Sequence, residues 1–219
     1  QEIIEYLENL KFFSSSFIQQ NDLSIEEGQL FIGEKRIRVE YSSPSKILII
    51  LDENKAMYYN YDLDEDEFFN PKDTSAWFFF EIFKNPNFFL KSKIQTKEKN
   101  ILIINKGIFD DENYELIIYF EDKPIVLRKI ELNIGNTHLL LSIFNHRFEE
   151  EFDEDFFKLI NPKIINKIKI ESTSFFVDFF VFVLIFSNFF LILVKWLSKE
   201  LLCIVSLIFK IFFLILFFL

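Results

Sequence analysis

Residues 36–41, Arg-Ile-Arg-Val-Glu-Tyr, alternate strictly between polar and apolar. On a helix such side chains would scatter around the axis, whereas on a strand the apolar ones share a single face. A half-buried antiparallel strand reads this way. Further strands are expected at 47–51, 57–61, 101–104, 114–120, 126–134 and 138–144. Turn-forming clusters separate many of them: Ser42-Ser43-Pro44, Asp52-Glu53-Asn54, Asp110-Asp111-Glu112-Asn113 and Gly135-Asn136. Many short strands at near-regular spacing imply a curved antiparallel sheet or barrel.

Helices interrupt this pattern in a few places. Ile3, Leu7 and Leu10, followed by Phe13 and Phe17, suit one face of an amphipathic N-terminal helix. Asp73-Thr74-Ser75 offers N-cap residues before Ala76-Trp77-Phe78-Phe79-Phe80-Glu81-Ile82-Phe83, and Asn85-Pro86 stops that helix. It is apolar on almost every side, so the sheet must cover it. Asp153 to Phe157 reads as one helical turn that closes the strand-rich part before Pro162.

Charge and hydropathy then divide the 219 residues unequally. The formal charge is −10, yet from Lys163 onward six lysines face only Glu171, Asp178 and Glu200, a surplus of +3 that leaves −13 for residues 1–162. So acidic a part is a poor partner for nucleic acid, whose phosphates are held mainly by Lys and Arg. After a basic linker at 163–174, residues 175–194 and 201–219 form two apolar runs, broken by Asp178, Asn188 and Lys210. Each is long enough to span a bilayer core of ~30 Å as a helix, with 195–200 as the loop of a transmembrane hairpin. Against that stands the absence of any Gly, Ala or Pro after Lys163, since small residues let membrane helices approach each other. Thirteen of the 45 residues from Phe175 to Leu219 are Phe, which also fits out-of-frame translation of an A/T-rich gene. Both readings of the tail, membrane anchor and artefact, stay open. Gln1 likewise leaves open a removed signal peptide or a fragment. The lone Cys203 permits no disulfide within the chain and does not distinguish compartments.

Catalytic and metal chemistry find little footing. His138 and His146 are the only histidines, and Ser14–Ser16 have none nearby in sequence. Asp62, Asp64, Asp66 and Asp73 suggest a calcium loop, but Glu67 occupies the position that wants Gly. An Asp-rich hairpin tip accounts for them. Glu149–Glu151 with Asp153–Asp155 read as a solvated edge. No cofactor motif is present.

Five motifs in order carry a family resemblance. Residues 6–20, Tyr6-Leu7-Glu8-Asn9-Leu10-Lys11-Phe12-Phe13-Ser14-Ser15-Ser16-Phe17-Ile18-Gln19-Gln20, resemble the opening helix of the outer-membrane lipoprotein carrier family, LolA. Glu27-Gly28-Gln29-Leu30-Phe31-Ile32, then Arg36 to Pro44, then Ile47 to Ile50 with Asp52, have the order and nearly the spacing of that family's first three strands. Met57 to Asp62 matches the next strand, and Asp153 to Pro162 looks like the closing step. The resemblance covers residues 1–162 and nothing beyond. It implies a fold that is mainly β with short helices: a curved antiparallel sheet forming an unclosed half-barrel covered by helices, followed here by the apolar helical tail. It also implies a periplasmic protein without enzymatic activity or cofactor, which collects acylated lipoproteins from an inner-membrane release complex and delivers them to an outer-membrane receptor. The tail adds a possible membrane contact through 175–219, and with it an alternative: a lipid- or lipoprotein-binding module anchored in the inner membrane.

The residues agree with a lipid hollow. Leu30, Ile32, Ile37, Val39, Tyr41, Ile130, Leu132 and Ile134 are expected to line it, with Trp77, Phe78, Phe79, Phe80, Ile82 and Phe83 as the lid. The family's Arg-Pro latch is missing, and Gly33-Glu34-Lys35 stands in its stretch. Arg36 and Arg38 are the candidates for another polar latch, although their alternation with Ile37 and Val39 aims them away from the apolar face. An exposed basic stripe pairing with Glu40 or with sheet neighbours is the plainer reading.

Overall fold

Phe13 and Phe17 stand four residues apart, a spacing that a helix and a strand both place on one face. The strand prevails. In the computed structural model, which describes residues 2–153 and 155–167 together with Val183, the first helix α1 covers only Glu2–Glu8. Phe12, at φ 58°, reverses the chain, and β1 runs over Phe13–Asn21. Ser14, Ser15 and Ser16 form helix poorly, because their hydroxyls compete for the backbone. Ladders on both sides, with β2 (Ile25–Ile32) and β11 (Thr137–Arg147), satisfy the backbone of β1 instead. The expected opening helix is thus corrected to a single short helix and a central strand.

The remaining strands are β3 (Ile37–Ser43), β4 (Ile47–Leu51), β5 (Ala56–Asn60), β6 (Glu65–Phe69), β7 (Lys93–Lys97), β8 (Asn100–Phe109), β9 (Glu112–Glu121) and β10 (Val126–Ile134). Their spatial order is β6-β5-β4-β3-β2-β1-β11-β10-β9-β8-β7, in one antiparallel sheet of eleven strands. Two meanders are therefore joined where β1 pairs with β11. The edges β6 and β7 do not pair with each other, so the half-barrel is unclosed. Neither edge strand was expected from sequence.

This topology decides where the second helix lies. Residues 70–92 connect one free edge of the sheet to the other, and they carry α2 (Ala76–Lys84). A connection of that kind has to cross the opening. Phe78 fixes α2 against β8 and β9, its ring centroid 5.2 Å from Phe109 and 4.7 Å from Tyr114. Ser75 precedes α2 without a side-chain cap bond, while Thr74 Oγ1 donates to the Pro71 carbonyl.

The main core lies between the inner face of the sheet and the helices. It includes Ile3, Leu7 and Leu10 from the α1 segment, Phe78, Ile82 and Phe83 from α2, and alternate residues of most strands. A smaller core of Leu48, Ile50, Met57 and Tyr59 occupies the opposite face of β4 and β5, where Leu159 packs against it. Among the described residues no helix is long and apolar enough to cross a membrane. The hairpin expected at 175–219 lies outside the described residues.

Candidate functional site: a hollow under α2

Register places Ile37, Val39 and Tyr41 opposite Ile32, Leu30 and Gly28. Phe17 continues the same row, opposite Gly28. Its ring lies directly over that glycine: a Cβ there would meet the ring at 2.6 Å and the Glu40 carbonyl at 2.2 Å. Gly28 therefore makes room for Phe17, which stands edge-on to Tyr41 at 5.2 Å. Above this row the helix does not close completely. A cavity of about 170 Å³ remains, walled by Phe17, Leu30, Val39, Ile49 and Leu141 from the sheet and by Ala76 and Phe79 from α2.

One polar pair enters this apolar space. The Tyr41 hydroxyl donates to Gln19 Oε1 at 3.0 Å, and Gln19 Nε2 donates in turn to Glu26 at 2.8 Å. Burial, with Glu26 adding to it, pushes the Tyr41 phenol well above its usual range. Tyr41 is thus a neutral hydroxyl at the wall of the hollow. It can orient a polar group but carries no charge to repel an acyl chain.

The eight residues expected to line the hollow separate into two groups. Leu30, Val39 and Tyr41 border the cavity. Ile32, Ile37, Ile130 and Leu132 share the inner face but are buried in solid core, with Ile134 partly buried against it. A common face does not create a void; this one lies where Ser75, Ala76 and Phe79, at the start of α2, face the sheet. Gln19, Leu51 and Leu139 also border the cavity and went unnamed in the sequence reading, although the apolar runs containing Leu51 and Leu139 were visible there.

The lid residues face three ways. Phe79 points into the hollow, whereas Phe78, Ile82 and Phe83 belong to the core. Trp77 and Phe80 stack on each other at 5.7 Å on another side of the helix, and the Lys72 ammonium lies 5.3 Å from the Trp77 ring. The expectation that the sheet covers the whole apolar helix is corrected in this respect.

Arg36 and Arg38 do lie away from the apolar face, and they hold a different segment from the lid. Arg36 bonds Asp52 at 2.6 Å and donates from Nη1 to the Phe157 carbonyl at 3.0 Å. Arg38 bonds Glu40 and donates to the Phe156 carbonyl, both at 2.6 Å, with its guanidinium 4.3 Å from the Phe156 ring. The expected pairing forms, Arg38 with Glu40 and Arg36 with Asp52, but the stripe is exposed only in part, the Arg36 side chain at 35% and that of Arg38 at 14%. The pair fastens the chain after β11 across the outer face.

No cluster of metal-ligating side chains occurs among the described residues. His146, whose basicity is lowered by burial, has Nε2 2.8 Å from the Leu127 carbonyl and lies among phenylalanine rings.

No protein-family model matches the chain, and no curated protein matches it. Among solved structures, an uncharacterized conserved protein from Thermus thermophilus is similar over 74% of this chain and 96% of its own, with 8% identity and a TM-score of 0.49. MucB of Pseudomonas aeruginosa, in its complex with MucA, is similar over 72% of this chain at 9% identity and a TM-score of 0.44. The match spans only 58% of that MucB chain. LprF from Mycobacterium bovis matches 66% of this chain and 92% of its own, at 8% identity and a TM-score of 0.30. At such distance these likenesses assign no function.

Proposed function

We propose that residues 1–162 act as a periplasmic carrier without catalytic activity, which shelters the acyl chains of lipoproteins in the hollow under α2. In this reading it takes them from an inner-membrane release complex and gives them to an outer-membrane receptor. The observation that carries it is the apolar cavity between α2 and strands β1–β4 and β11, where the helix crosses the open half-barrel. The five LolA-like motifs point the same way. Each CH₂ moved from water into such a site contributes ~0.8 kcal/mol. As it stands the hollow is benzene-sized, by comparison with engineered cavities of ~150 Å³ that admit benzene. A long acyl chain therefore enters only as α2 moves outward.

Replacing Val39 with Asp tests the reading directly. The folded variant is expected to lose uptake of an environment-sensitive fatty-acid probe, and undiminished uptake would count against the hollow.

A second reading is favoured by the apolar runs at 175–194 and 201–219: a lipid- or lipoprotein-binding module anchored in the inner membrane and facing the periplasm. Cell fractionation separates the two. A carrier appears in the soluble periplasmic extract, and an anchored module sediments with inner membranes and resists alkaline extraction.

A further inference from the structure

A larger cleft, of about 540 Å³, lies at the other end of α2 and shares no lining residue with the hollow. Its apolar wall is formed by Leu7, Ile82, Phe83 and Phe89. The size is ordinary for a small-molecule site. Four ionisable side chains also line it, Lys11 and Lys84 together with Glu8 and Glu34.

Lys84 is largely removed from water, and its ammonium donates to the backbone carbonyl of Gly33. Neither lysine takes part in an ion pair among the described residues. A shielded cation facing a neutral carbonyl is costly, and a second cation nearby adds to the cost. Burial, reinforced by Lys11, holds Lys84 down to about 8, with Glu34 acting in the opposite direction. Glu8 and Glu34 line the same cleft, but neither comes within ion-pair distance of the lysines, so an anion could meet the Lys84 ammonium directly. A free inorganic anion would leave the apolar wall without a role, and a neutral hydrocarbon would leave the lysines without one.

We propose that this cleft is a second lipid site, which takes a single-chain amphiphile by its carboxylate head at Lys84 and Lys11, with the tail along Leu7, Ile82, Phe83 and Phe89. The site does not depend on the carrier reading, because the hollow and the cleft are lined by different residues.

The probe is [1-¹³C]dodecanoate, titrated by NMR into the full chain, with dodecanol and acetate as controls. Dodecanoate is expected to bind at least tenfold more tightly than either. Its affinity falls as pH rises past 8, where Lys84 loses its proton. Around Lys84 stand Glu8 and Lys11 near α1, Glu34 and Lys35 in the β2–β3 turn, Asp52 and Glu53 in the β4–β5 turn, and Glu81 on its own helix. Lys84→Met is expected to lose at least tenfold in affinity for dodecanoate and less than twofold for dodecanol. Lys84→Arg keeps its charge through this range, so it retains binding and loses the step near pH 8, which separates Lys84 from its neighbours. Val39→Asp, which disables the hollow, leaves the carboxylate signal of the cleft in place. Measured in the Val39→Asp background, where the hollow does not compete, undiminished dodecanoate affinity after Lys84→Met, equal binding of dodecanol or acetate, or an unchanged pH step in Lys84→Arg would each overturn the proposal. Should Lys84→Met fail to fold, the arginine variant decides alone.

Discussion

Strands β2 to β5 are covered on both faces, and the two covers are built differently. On the inner face α2 rests through apolar side chains and leaves a cavity beneath Phe79. On the outer face residues 148–153 and 155–161 lie down without regular secondary structure, yet they are fastened at several points. Phe152, Phe156 and Phe157 pack against one another with ring centroids 5.0–5.2 Å apart. Phe31 meets Phe156 at 5.0 Å, and a Cβ on Gly33 would touch the Phe157 ring at 2.7 Å. Arg36 and Arg38 hold two consecutive carbonyls, and Asn161 bonds Asp66 at 3.0 Å. Charge-assisted hydrogen bonds and ring packing anchor the irregular segment, whereas apolar, non-directional contacts predominate under α2, so we expect the N-terminal part of the helix to be the wall that yields.

Truncating the outer core is expected to give the largest loss of stability. Ile50 is 1% exposed in that core, and Ile50→Ala should cost about 2–5 kcal/mol. For a protein of this size that is ~2–4 °C of thermal midpoint per kcal/mol, read by calorimetry. Acyl-probe affinity in the folded variant should stay within a factor of two.

Arg38→Ala should come next, at about 1.5–3 kcal/mol, through loss of a charged hydrogen bond and a cation–π contact. Limited chymotrypsin digestion is expected to cut first near Phe156. A variant as resistant as the parent would mean that the arginine does not hold the outer wall.

Filling the inner cavity should invert the pattern. Ala76→Leu adds a branched side chain into the space under α2, so probe affinity is expected to fall at least tenfold. The change in stability should stay within ~1 kcal/mol, because a void absorbs the added atoms while helix propensity hardly changes. Equilibrium unfolding and probe titration on one preparation measure both.

The smallest effect concerns Tyr41. Tyr41→Phe removes one hydrogen bond, worth about 0.5–1.5 kcal/mol. The pH dependence is more telling. The folded phenol titrates above its unfolded value near 10, so the folded state holds the proton longer, and stability falls as pH rises beyond about 10. Denaturant unfolding between pH 9 and 11 should show a shallower decline in the Phe variant, and parallel curves would contradict the buried assignment.

The difference between the two covers also explains what the sequence could disclose. Strand β3 was legible because its residues alternate strictly, and β10 through the alternation of Ile130, Leu132 and Ile134, whereas β4, apolar throughout and covered on both faces, was legible as a short apolar run between turn signals. The edges β6 and β7 were not. The residues of Glu65–Phe69 and Lys93–Lys97 are exposed on both faces, apart from the partly buried Phe69, so nothing enforces alternation, and charges suit unpaired edges. The motif order placed the closing turn, but it did not say that Phe156 and Phe157 would cap Arg38 and Arg36, 118 and 121 residues earlier. The apolar content of α2 was plain from residues 76–83, whereas the stacking of Trp77 on the buried Phe80, apart from the main core, depends on where the crossover meets the sheet. The row of inner residues was likewise foreseeable, whereas the restriction of the gap to Leu30, Val39 and Tyr41 among the eight was not.

The inner cover is expected to open to hydrocarbon while the outer cover stays shut. Photolabelling with a long-chain alcohol that carries a diazirine near the tail tests it most directly, since an uncharged head avoids selecting for Lys84. Saturable labelling of Phe79, Val39, Leu139 or Leu141 is the predicted result, with Ala76→Leu abolishing it. Labelling concentrated on Ile50, Phe152, Phe156 or Leu159, or labelling at Phe79 that Ala76→Leu leaves untouched, would contradict it.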